Sequence, residues 1–230
     1  MAPLLTTAMI IGWWLLMVVA LAIFRFFLCS RASDSSGPLG NLEGYSAHSA
    51  LKAKPLPILP VLLLGPLALM FAFGILGVNL LFPVHMTATL LDLWFASIAP
   101  ALVLFIASGA ASRIWTETDA NYHTWRERRF VVVARAMGIS VSSTVFRVVL
   151  QKSVLNVSLA TLPWFFSELI IAEAMFNAPG IGLRIWDGAK SRMFADVVTN
   201  LSLLAILYGL CAFLGTVLHR KIGQRLEGYT

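Results

Sequence analysis

Long apolar runs separated by short polar or basic stretches dominate the pattern along this chain. Five runs approach the roughly 20 residues that a helix needs to cross a ~30 Å hydrocarbon core: about Ala8–Leu28, Leu56–Phe82, Ala88–Ala111, Val154–Phe176 and Val197–Leu218. They predict an all-α membrane protein with about five transmembrane helices. The first run lacks a basic n-region and a clean small-residue cleavage site, and it is too long for a typical signal h-region, so it reads as a span. A very short turn around Pro83 makes the second and third spans an antiparallel hairpin. The stretch Ser30–Lys54 is rich in Ser, Gly and Ala and reads as a flexible linker, and Pro55, Pro57 and Pro60 stiffen the approach to the second span. Arg113–Arg129 is polar and reads as a helix, with Trp115, Tyr122 and Trp125 suited to the membrane interface. Pro163 is expected to kink the fourth span.

Composition sharpens this picture. With 230 residues, 59% hydrophobic and only 12% charged, and a mean hydropathy of +0.83, the chain is not a soluble globular domain. In a soluble protein the net charge of +6 would point to nucleic acid. Here the basic residues flank the spans, so membrane topology accounts for them and no nucleic-acid partner is expected. The central loop carries Arg113, Arg126, Arg128, Arg129, Arg135, Arg147 and Lys152, and the tail carries Arg220, Lys221 and Arg225. The N-terminal tail and Pro83–Thr87 contain neither Lys nor Arg. That places the N-terminus outside, the first and central loops inside, and the C-terminus inside. Arg184, Lys190 and Arg192 fall on the outer side against the trend. Cys29 and Cys211 lie in or near spans and read as small packing residues, with no disulfide framework.

Catalytic signatures are missing. The chain has no HExxH, GxSxG or CxxC, and His48, His85, His123 and His219 are scattered over different loops, so neither a metal site nor a catalytic site is expected. Gly182–Ser191 resembles a phosphate loop only superficially, because Ala189 separates Gly188 from Lys190, and no ATP hydrolysis is expected of this chain. Glu168 and Glu173 fall within the fourth span, and an ionisable group there is a functional candidate. Five residues apart, they occupy different helix faces. Glu173 is expected near the outer end, within reach of water. Two readings stand for the pair, a structural or cavity-facing polar role and direct handling of substrate or protons.

The segment Phe130–Gln151 holds the most specific pattern. It reads as a short helix, a glycine, and a second helix leading into the membrane. Ala134, Ala136 and Gly138 form a small-residue patch, while Val131, Val132, Val133, Met137 and Ile139 offer apolar side chains. Physically this fits a helix laid into a partner's groove and equally an amphipathic helix on the membrane surface with snorkelling basic residues.

These residues resemble the bacterial ABC importer permeases of the binding-protein-dependent type. That family carries a loop of pattern E-A-A-x-x-G, then nine residues, then I-x-L-P. Here Gly138 is followed by nine residues and Val148-Val149-Leu150-Gln151, with Val132 at the Glu position, Val133 at the first Ala and Gln151 at the Pro. The peptide/nickel branch more often reads Y-V-R-x-A-R-A-x-G, and Phe130 to Gly138 is closer to that. The same branch has E-x-x-F-x-x-P-G-x-G after the next span, matched here at Glu173, Phe176, Pro179, Gly180 and Gly182. The resemblance covers about Leu93 to Leu218.

The resemblance implies half of an importer channel of the type I permease fold in a bacterial cytoplasmic (inner) membrane. Residues 1–55 would hold the first span and linker, and 56–230 a permease core with a coupling loop at about 114–151. A second permease subunit, identical or related, would complete the path. A cytoplasmic ABC ATPase dimer would bind ATP and Mg, so no cofactor is expected on this chain. An extracytoplasmic binding protein would deliver a small peptide, a metal or a metal chelate. Phe130, Ala134, Arg135, Ala136, Met137, Gly138 and Ile139 would couple to the ATPase. Pro163, Glu168, Glu173, Phe176, Pro179 and Gly180 would line the pathway or its outer gate, although Pro179-Gly180 is also an ordinary helix-ending turn. Two other classes are a proton-coupled secondary transporter using Glu168 or Glu173, and a membrane scaffold without transport.

Overall fold

A computed structural model describes residues 3–35, 60–75, 80–82, 90–139 and 141–227. Every regular element among them is helical. In chain order these are α1 (Pro3–Ser35), α2 (Val61–Gly74), α3 (Leu90–Ala96), α4 (Ile98–Ala107), α5 (Ala110–Arg126), α6 (Arg129–Ala136), α7 (Val141–Met175), α8 (Ile181–Lys190) and α9 (Phe194–Glu227). The expected turn at Pro83–Thr87, most of the 30–54 linker, Pro55, Pro57, His48 and His85 lie outside the described residues.

Among the described residues, four segments are long and apolar enough to cross a bilayer: Pro3–Arg31, Leu90–Ala107, Thr144–Met175 and Phe194–Ile222. Each contains or closely tracks one of the expected spans. In the remaining expectation, Leu56–Phe82, the described residues form the 14-residue α2, about 21 Å of helix. Its start is set by Pro60, whose ψ of 148° at the N-cap is extended rather than helical. The segment Leu90–Ala107 is interrupted at Ser97, where the hydroxyl donates to the Trp94 carbonyl at 2.6 Å. Pro100 explains the break, because it has no N–H to give the carbonyl of Ala96. The first helix runs on to Ser35, so the start of the supposed linker is helical.

The chain forms two compact units, each drawn from three stretches. The first comprises Met1–Met17, Ile58–Ser108 and Thr161–Phe213. Here α1 buries Thr7, Ile10 and Trp14, a helical i, i+3, i+7 stripe. The Trp14 ring lies 4.7 Å from Phe165, and Trp13 donates its indole N–H to the Trp94 carbonyl at 2.9 Å. Leu104, Leu169, Phe176 and Ile181 are also fully buried in this unit.

The second unit comprises Val18–Pro57, Gly109–Ala160 and Leu214–Thr230. Its core gathers Phe26, Cys29, Tyr122, Trp125, Val131, Val145 and Val149. Phe26 meets Tyr122 and Phe146 edge-on at 5.5 and 4.9 Å. A polar clamp joins α1 to α5: Asp119 pairs with Arg25 at 3.2 Å and accepts from the Cys29 thiol at 3.2 Å, while the Arg25 guanidinium lies 4.1 Å above Trp115. Tyr122 and Trp125, expected at the membrane interface, are core residues instead. They share the α5 face of Ile114 and Thr118, spaced by about one helical turn, which turns them inward.

Candidate functional site

Within the second unit, α6 is short and two-faced. It starts with the Val131 and Val132 amides bonded to the Arg128 carbonyl. It ends at Gly138, whose φ is +79°. The Ile139 amide reaches back to the Ala134 carbonyl at 3.0 Å, the bond of a Schellman ending. Val131 and Ala134, three apart, are buried and seat the helix on the Phe26–Tyr122–Val149 core. On the other side Val132 is 58% exposed, Val133 55% and Met137 66%, with Ile139 and Ala136 exposed beside them. The result is an apolar ridge on a rigid seat.

Of the coupling residues read from the sequence, Ala136, Met137, Gly138 and Ile139 therefore lie on the outward side, and Ala134 faces inward. The side chains of Phe130 and Arg135 lie outside the described residues. The sequence offered Val131, Val132 and Val133 alike to a partner's groove; the structure keeps Val132 and Val133 outward and turns Val131 inward. Spacing could not choose between them, since Val133 and Ala136 are also three apart.

Gly138 is required for its backbone and not for space: a Cβ there meets nothing within 4 Å, yet φ is left-handed. Gly138→Ala is expected to cost about 1 kcal/mol, a fall of about 2–4 °C in the melting temperature of the detergent-solubilised protein. An unchanged melting temperature would show that the turn does not need the left-handed conformation.

Within the first unit, α7 ends and α8 begins around a buried carboxylate. Asn177 takes φ +52°, and the Ala178 amide bonds back to the Glu173 carbonyl at 2.8 Å, a second Schellman ending. Pro179 follows, where a helix is no longer needed, and is exposed. The first turn of α8 must then satisfy four amides that have no partner inside the helix. Its N-cap is Gly180, which has no side chain to offer. The chain supplies the acceptors from elsewhere. The Gly180 amide bonds to Ala178 O at 2.7 Å. The Ile181 amide donates to the Thr7 hydroxyl at 3.0 Å, and the Gly182 amide to Glu173 Oε2 at 2.5 Å. Thr7 closes the ring by donating to Glu173 Oε1 at 2.7 Å.

Both side chains have 0% exposure, so Glu173 is not within reach of water as the sequence suggested. The donors around it and the positive end of α8 offset part of the cost of burying this carboxyl group. Gly180 and Gly182 make the approach possible: a Cβ on Gly180 would overlap the carboxylate, and one on Gly182 would lie 2.6 Å from Ile170 Cα. Phe176 is buried, and its carbonyl accepts from the Phe82 amide at 3.0 Å.

Glu168 does related work. Its carboxylate accepts from the Val61 amide at the start of α2, while its Oε2 is buried without a hydrogen-bond partner. Pro163 sits on an exposed face of α7, which continues through it. At the α8–α9 junction an open cleft of about 320 Å³ carries mixed charge from Arg184, Asp187 and Asp196. Among the described residues no group of His, Cys, Asp and Glu is arranged to hold a metal.

A protein-family model described as "Binding-protein-dependent transport system inner membrane component" matches residues 56–228. No curated protein matches the chain.

Proposed function

Because the chain belongs to the family of binding-protein-dependent transport system inner membrane components, we propose that it is the permease subunit of an ATP-driven ABC importer and forms half of the translocation path. The observation that carries the finer reading is the outward apolar ridge of α6 on its buried seat. A partner ATPase that grips Val132, Val133, Met137 and Ile139 would push on a helix that cannot yield independently, because Val131 and Ala134 lock it to the core beneath. Closure of the ATPase dimer on ATP and Mg then moves this unit as a body, which is what alternating access requires.

In this reading the N-terminus is outside, and α6 and the C-terminal end of α9 face the cytoplasm of a bacterial inner membrane. A second permease subunit, identical or related, completes the path. A binding protein delivers a small peptide, a metal or a metal chelate from the outer side. The Glu173–Gly182 pattern supports the peptide/nickel branch. Coupling to protons through Glu168 or Glu173 is not favoured, since the Glu173 carboxylate has no exposure and is committed to α8.

The test is co-purification with a candidate ABC ATPase, with ATP turnover as the readout. Val133→Asp sets a charge in an apolar contact, expected to weaken assembly about 30-fold, equivalent to ~2 kcal/mol. Gly138→Arg is expected to act in the same direction. Undiminished assembly and turnover in both variants would overturn the coupling assignment.

A further inference from the structure

The family match begins at residue 56, so it leaves out α1 entirely. Yet α1 supplies a buried group to the turn that joins α7 and α8, the stretch with the Glu173–Gly182 pattern. Thr7 is fully buried, and its hydroxyl is used twice, as donor to Glu173 and as acceptor for Ile181. Neither role can be filled from within the matched region as the cap stands. Glu173 already serves the Gly182 amide, and Gly180 has no side chain. Without the hydroxyl the Ile181 amide is left in an apolar enclosure with no acceptor, and one carboxylate oxygen loses its donor. Ile10 and Trp14, on the same face of α1, are buried too, so the hydroxyl is held in place and not sampling water.

We propose that Thr7 is a positioning residue for the turn Asn177–Gly182, making α1 a working part of the permease rather than an appended span. Through Thr7, α1 completes the cap of α8 and keeps the turn seated on α7 while the rest of the first unit changes state. The proposal rests on the permease reading for its functional consequence, and its structural half stands without it.

Amide hydrogen exchange, read by mass spectrometry on peptides covering residues 176–183 of the purified chain in lipid nanodiscs, tests the structural half. Thr7→Val keeps the shape and removes the hydroxyl. Exchange at Ile181 and Gly182 is expected to quicken about tenfold. Thr7→Ser keeps the hydroxyl and is expected to exchange within about twofold of the parent. Thr7→Cys, with a weak donor, is expected between them, and it provides the comparison should the valine variant not accumulate. Equal exchange in the parent and in Thr7→Val or Thr7→Cys, or a serine variant as fast as either, overturns the cap.

ATP turnover of the complex with its ATPase tests the functional half. Thr7→Val is expected to assemble normally and turn over about fivefold more slowly, with Thr7→Ser restored. Faster exchange with unchanged turnover would reduce Thr7 to a fold contact and overturn its positioning role. Failure of the importer reading shows separately, as indifference of assembly to Val133→Asp.

Discussion

Gly182→Ala is expected to be among the most damaging single-methyl changes in the described chain. An added Cβ would lie 2.6 Å from Ile170 Cα, 3.3 Å from Ile170 N and 2.9 Å from Glu173 Oε2. Two of those three atoms are helix backbone, which cannot rotate away, so α8 must move off α7. That shift also stretches the Gly182 amide away from the carboxylate it caps. Overpacking of this kind costs about 1–3 kcal/mol by itself, and with the strained cap we expect at least about 3 kcal/mol, or on the order of 6–12 °C in melting temperature. Gly182→Leu is expected not to accumulate. Gly65→Ala is the internal comparison. A Cβ there meets Met175 Cε and Sδ at 2.7 and 2.8 Å, but those atoms end a flexible side chain that can swing aside, so a loss under about 1 kcal/mol is expected. Thermal unfolding of both variants in the same detergent checks the pair. A Gly182→Ala protein as stable as Gly65→Ala would refute the close approach of α7 and α8.

Glu173→Ala is expected to follow closely, for an electrostatic reason instead of a steric one. The substitution strands the Thr7 hydroxyl and the Gly182 amide in a site with no exposure. Each orphaned donor costs about 1–3 kcal/mol in a buried setting. Because the site can relax, we expect a total of about 3–5 kcal/mol for the buried donors left without an acceptor. Glu173→Gln is expected to lose roughly half as much. Its carbonyl oxygen still accepts, while its amide group faces a donor wherever the second oxygen used to sit. Melting temperatures ordered parent, Gln, Ala would support this. An alanine variant within about 2 °C of the parent would mean that the carboxylate is not the cap.

The pattern Glu173-x-x-Phe176-x-x-Pro179-Gly180-x-Gly182 was fully visible in the sequence, but its meaning was not. Spacing alone could not separate an outer gate from a helix-ending turn, because both use proline and glycine. The deciding fact is that α8 has a glycine at its N-cap and must borrow acceptors, one of which comes from Thr7, 166 positions before Glu173. A threonine inside an apolar run carries no local signal of such a partner. Tyr122 and Trp125 show the same limit. Aromatic residues on a polar helix suit an interface, yet here Val131, Val145 and Val149 cover them. On α6 the same limit applied, since Val133 and Met137 share a helical spacing as good as that of Val131 and Ala134, and only the fold chose the latter as the buried face.

What the sequence determined by itself was everything that depends on runs and local chemistry. The apolar stretches produced α1, α7, α9 and the broken pair α3–α4, because unbroken hydrophobicity of that length leaves helices as the only way to satisfy the backbone in a membrane. Gly138 and Asn177 stopped helices where left-handed residues stop them, and Pro100 set a break by lacking an amide hydrogen. Only the tertiary structure decided which faces turn inward and which carboxylate serves which helix. Those outcomes depend on residues far apart in the chain meeting within 3 Å, as Thr7, Glu173 and Ile181 do, and the free energy of such a meeting is not a property of any one segment.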